Sequence, residues 1–201
     1  MAKPPWYAHT TWTASDHDDF FLRLRQIVGA HEQAACLRKQ AGHLLKARTP
    51  ATLAGARELY ELLVAQFPDS SNLAYVHTSL GEVLEASGED EAALAAYRQA
   101  LGAQHGTTRS TDAHLRFGLL VIRATRSERY PEALTLLESA GLPMVYPFDQ
   151  YRYCGIVAHL RAARGETGRA RLSARDALAA TKHCVVDQQS AFHLRLEELA
   201  G

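Results

Sequence analysis

Ten histidines and three cysteines in 201 residues invite a search for a metal or acid–base centre. His77 with His114, Cys154 with His159, and His183 with Cys184 are the combinations that could supply ligands. A transition-metal site needs imidazoles or thiolates that converge. On a helix that means two histidines four apart beside a carboxylate, and on a turn a paired Cys-x-x-Cys. None of these combinations has such a spacing, so neither a metal nor a cofactor is expected. Asp16-His17-Asp18-Asp19 concentrates carboxylates, but successive residues on a helix point in different directions. Acidic side chains at the positive end of a helix dipole explain that run. Asp187-Gln188-Gln189-Ser190 with His193 has the residue types of a hydrolytic site but lacks the glycine turn that presents a nucleophile. Gly165-Glu166-Thr167-Gly168 is too short and too acidic to cradle a phosphate. No catalytic residue emerges, and no enzyme activity is expected.

The charge balance is even, with Lys+Arg 22 against Asp+Glu 22. No global field draws the chain to nucleic acid or to anionic lipid. Charge is uneven locally. Glu82, Glu85, Glu89, Asp90 and Glu91 fall together in the middle, while Arg152, Arg161, Arg164, Arg169, Arg171 and Arg175 fall late. Cys36, Cys154 and Cys184 lie far apart, and Met1 to Tyr7 does not read as a secretory signal. These features imply reduced thiols and a cytoplasmic setting. The longest apolar concentration, Phe117 to Ile122, is far short of a membrane span.

The elements read as helices throughout, with no useful stretch of period-two alternation. Trp6, Tyr7 and Trp12 sit in an N-terminal arm. A first helix is expected from a cap at Ser15 to about Val28, closed by Gly29. Paired helices follow at about 31–46 with 51–66, 72–87 with 90–103, 111–125 with 131–140, and 148–164 with 167–181. Phe67-Pro68-Asp69-Ser70 and Gly141-Leu142-Pro143 close two of them, and a last helix is expected at about 185–199. A small residue opens the second helix of each pair at Ala56, Ala93, Ala133 and Ala170, with spacings of 37, 40 and 37. One turn later stand Tyr60, Tyr97, Leu137 and Ala174 at the same spacings. A period of this length marks a stack of helical hairpins, each burying its apolar face against its neighbours.

Leu80, Gly81, Leu84, Gly88, Ala93, Tyr97, Ala100 and Leu101 together resemble a tetratricopeptide repeat (TPR). Weaker units repeat the pattern over residues 31–181. The resemblance implies an all-α, right-handed α–α superhelix of about ten helices. Residues 1–30 would form an arm and a capping helix, 31–181 the repeat domain, and 182–201 a C-terminal cap. It also implies a groove lined by the first helices and open to a peptide or protein partner. Its lining would comprise Tyr75, Thr78, Glu82 and Glu85 from the second unit, Asp112, Leu115, Leu119 and Ile122 from the third, and Arg152 and His159 from the fourth. Along that order the surface passes from acidic to apolar to basic. Members of the family that grip acidic tails carry Lys and Asn where this chain has Thr78 and Glu82, so that specialisation is not implied here. The expected function is a non-catalytic binding module of bacterial type acting as adaptor, chaperone or immunity-type binder. The alternative is a regulatory peptide sensor, and a small enzyme ranks behind both.

Overall fold

This computed structural model describes residues 5–68, 71–104, 111–140 and 146–201. The helix ends expected at Asp69-Ser70 and at Gly141-Leu142-Pro143 fall outside those residues. The described chain contains ten α-helices, two single turns of 3-10 helix and no strand. The helices are α1 (Ala14–Leu24), α2 (Ala30–Ala47), α3 (Pro50–Gln66), α4 (Leu73–Ala86) and α5 (Asp90–Gln104), then α6 (Ala113–Arg123), α7 (Tyr130–Ser139), α8 (Pro147–Ala163), α9 (Thr167–Ala180) and α10 (Ala191–Ala200). The chain divides into two compact units, Met1–Ala113 and His114–Gly201.

In the first unit α2 packs with α3, α3 with α4, and α4 with α5. The first cap is Thr13, not Ser15. The Thr13 hydroxyl accepts from the Asp16 amide at 3.2 Å, and the Asp16 carboxylate accepts from the Thr13 amide at 2.9 Å. This reciprocal box satisfies two orphan donors at once, and it holds the Asp16 carboxyl below its ordinary range. The helix stops at Leu24, short of Val28, which is 98% exposed. The arm is anchored by Gln40, fully buried on α2. Its amide nitrogen donates to the His9 carbonyl at 2.9 Å and its oxygen accepts from the His9 amide at 3.0 Å. Trp12 then covers Gly55 on α3 so closely that any Cβ there would overlap its ring.

In the second unit α8 packs with α7 and α9, and α10 lies against both α8 and α9. This last helix begins at Ala191, later than expected, because Ser190 is the cap: its hydroxyl accepts from the His193 amide at 3.2 Å. Phe192 and Leu196 of α10 close over Gly155 of α8, where a Cβ would stand 2.6 Å from the Phe192 ring.

Ala56, Ala93, Ala133 and Ala170 are all fully buried, as a shared packing site requires. A parallel series lies on the first helices: Gly42, Gly81, Gly118 and Gly155, spaced 39, 37 and 37. A Cβ at Gly81 would overlap the Tyr97 ring. His77 and His114 stand four residues before Gly81 and Gly118, and both are buried. Matching places in two hairpins are thus filled alike.

Candidate functional site

The first unit carries a groove whose walls are α2 and α4 and whose base includes Tyr60 of α3, enclosing about 380 Å³. The α2 wall follows from its amphipathic pattern. Leu37, Gln40, Ala41 and Leu44 turn inward, which leaves Lys39, His43 and Lys46 on one stripe at spacings of four and three. Arg38 and Arg48 also line the cavity. None of these five side chains forms an ion pair with a described residue. Arg38 instead lies over the Tyr75 ring at 5.7 Å, and Lys39 over the Tyr7 ring at 4.9 Å. The α4 wall supplies Tyr75, Ser79 and Glu82.

Tyr60 is fully buried, and its hydroxyl makes no hydrogen bond of ordinary geometry among the described residues, although the Ser79 hydroxyl stands near enough to act on it. Such an orphan costs about 1–3 kcal/mol and is uncommon in a native interior. Burial pushes its pKa well up, with nearby Ser79 and Arg38 only partly opposing, so the phenol stays a neutral donor. The equivalent phenol in the next hairpin is satisfied: Tyr97 donates to Glu85 Oε2 at 2.7 Å. Glu85 stands four residues after Gly81, and the residue four after Gly42 is Lys46. The first hairpin therefore has a cation where the second has the acceptor.

The structure distributes the ten expected groove residues unevenly. Tyr75 and Glu82 share the cavity just described. Thr78 is 4% exposed, its hydroxyl engaged with the Ala74 carbonyl and the Thr111 hydroxyl at 2.8 and 2.9 Å. Glu85 is engaged by Tyr97, and Asp112 is half-buried. On α6 Leu115 is 2% exposed and belongs to the core, while Leu119 and Ile122 are half-buried. Thr78 and Leu115 thus offer no lining surface, because each is buried. On α8 Arg152 lies 3.8 Å from Asp149 and 5.8 Å from the centre of the Phe148 ring. His159 stacks flat on Phe192 at 4.7 Å, and its Nδ1 lies 2.8 Å from the Gly155 carbonyl oxygen. It serves the seat of α10. The cationic stripe of α2 lies outside the groove expected from the sequence. Its signal is present there in Arg38-Lys39 and Lys46, on a helix with Glu32 as its one acidic residue, and in Arg48 just past its end.

A wider trough of about 980 Å³ runs between α1 and α3. Its polar groups are largely engaged already: Arg57 pairs with Glu61 and Glu89 at 2.8 Å each, and His17 Nε2 lies 3.1 Å from Glu58 Oε1. Among the described residues no group of three or more His, Cys, Asp or Glu is placed to hold a metal ion. Among them, too, no helix is long and apolar enough to cross a membrane.

No protein-family model matches the chain, and no curated protein matches it in sequence. Solved structures do resemble it. BtubC (BKLC) from P. vanneervenii is 16% identical, with 88% of this chain and 78% of that chain covered and a TM-score of 0.62. TTC0263, a thermophilic TPR protein of Thermus thermophilus, is 18% identical over 92% of this chain and 91% of that one, with a TM-score of 0.52. YrrB, a TPR protein with an unusual peptide-binding site, is 16% identical over 90% of each chain, with a TM-score of 0.53. The fold is the all-α, TPR-like α–α solenoid.

Proposed function

We propose that this chain is a non-catalytic interaction module that holds a peptide or an extended protein segment in the groove between α2 and α4. The observation that carries the reading is the set of cationic side chains on one groove wall, without ion-pair partners among the described residues. They face Tyr75 and Glu82 across a cavity of peptide dimensions. A site with charged sides and an exposed aromatic suits side-chain recognition. It lacks the converging nucleophile, base and oxyanion donors that chemistry would need. The TPR-like neighbours, one of which has a peptide-binding site, support the same class. The free thiols of Cys36, Cys154 and Cys184 fit a reducing, cytoplasmic setting. The test is capture of the partner from source-cell lysate on immobilised protein, beside the Arg38→Glu/Lys39→Glu variant. A protein retained by the wild type and lost by the variant supports the groove. Equal retention by both rejects it.

A further inference from the structure

We propose that the groove selects an acidic segment, one of whose side-chain carboxylates accepts a hydrogen bond from Tyr60 in the place Glu85 occupies beside Tyr97. The inference rests on the groove reading above and adds the chemistry of the occupant.

The argument is an internal comparison. The two hairpins present a phenol at the same repeat position, and each phenol is fully buried. At Tyr97 a carboxylate from the first helix completes the donor at 2.7 Å. At Tyr60 the corresponding first-helix residue is Lys46, which has no acceptor to offer. The donor makes no hydrogen bond of ordinary geometry, while Arg38 and Lys46 line the same cavity, Arg38 acting on the phenol against Glu82 on the other wall. A carboxylate entering there would satisfy the phenol and be charge-matched by Lys46 and its neighbours, a combination stronger than either contact alone. Gly42 adds no side chain to the cover over the phenol, where a Cβ would lie 3.9 Å from its oxygen. The hydroxyl has no exposed surface in the empty groove, so the carboxylate reaches it by displacing side chains of the groove walls.

The extent of the cationic wall says how much acid is wanted. Arg38 to Lys46 covers about two turns of α2, roughly 12 Å along the axis, and Arg48 stands just past the helix end. A single chain-terminal carboxylate would use only a fraction of that length. A run of Asp or Glu side chains in an extended segment matches it.

The probes are a short fluorescent Glu-rich peptide with amidated C-terminus, its Gln counterpart, an Ala-rich peptide with a free C-terminus, and a short single-stranded RNA. The Glu-rich peptide should bind the wild type in a salt-dependent way and the Gln peptide should not. Tyr60→Phe should weaken that binding roughly tenfold or more, since a hydrogen bond to a charged group is lost. Its melting temperature should hold or rise, because an unsatisfied hydroxyl has been removed. Tyr97→Phe, the control, should lower the melting temperature and leave peptide affinity unchanged. Lys46→Glu should raise the melting temperature by supplying the missing acceptor, and that gain should vanish in the Tyr60→Phe background. Equal affinity of Tyr60→Phe and wild type overturns the role of the phenol. Binding of the Ala-rich peptide or the RNA as tightly as the Glu-rich peptide overturns the acidic segment. If lysate capture depends on Arg38 and Lys39 but the Glu-rich peptide does not bind, the occupant is wrong and the groove stands.

Discussion

The first and second units fill the same kind of hollow in different ways. In the first unit the gap left by Gly81 on α4 is filled from within the hairpin, by the ring of Tyr97 on α5. In the second unit the equivalent second-helix positions hold Leu137 and Ala174, which are smaller. Gly118 is then met by Ile156 of α8, with a Cβ position 2.7 Å away, and Gly155 by Phe192 of α10 at 2.6 Å. The hairpin that carries Tyr97 completes its own crossing. One with a small residue depends on the helix that follows. The C-terminal helix is consequently a structural part of the last hairpin, joined to it by Phe192, Leu196 and the Tyr151 hydroxyl 3.2 Å from His193 Nδ1.

That contrast can be broken most sharply at Phe192. Phe192→Ala should cost about 3 kcal/mol by opening the hollow over Gly155, read as a lowered denaturant midpoint. A loss near zero would mean α10 is an accessory, not a filler. The next effect is at Gly81. Gly81→Leu should cost about 2 kcal/mol through overpacking against Tyr97, even after the gain in helix propensity. An unchanged melting temperature would refute the close crossing. The smallest effect is a pH dependence. Burial holds His159 below the ordinary histidine range, despite the opposing contact with the Gly155 carbonyl. The unfolded chain therefore takes up the proton first as pH falls. The stability from neutral His159 is present above about pH 6.5 and drains away as pH drops toward the lower folded pKa. His159→Gln should flatten the acid limb of the stability curve, and an unaltered limb would exclude His159 as its source.

Much of the fold is legible in the sequence because hairpin crossings demand small residues at fixed spacing. Ala56, Ala93, Ala133 and Ala170 announce four second helices, and all are buried. Caps are harder to read. Thr13 and Ser15 are both good caps, and only the Asp three residues after Thr13 closes the box. The start of α10 at Ala191 turns on Ser190 in the same way. The site is the least legible part. The repeat pattern is strongest on α4, which draws attention to Thr78 and Glu82 and away from the hairpin before it. Helical phase puts Thr78 inward and leaves the cations of α2 outward. The orphan state of Tyr60 emerges only when Lys46 is compared with Glu85. That comparison needs the glycine register, in which Gly155 is the member hardest to recognise from sequence.

The arm that packs Trp12 over Gly55 and sets Trp6 5.5 Å from Phe20 has a spectroscopic consequence. Both tryptophans of the chain lie there, in the first unit, and the second unit contains only tyrosine and phenylalanine. Indole emission thus watches one half of the molecule, while far-ultraviolet dichroism watches every helix. Unfolding followed by the two signals together will resolve whether the halves melt as one or in turn, without any label being added.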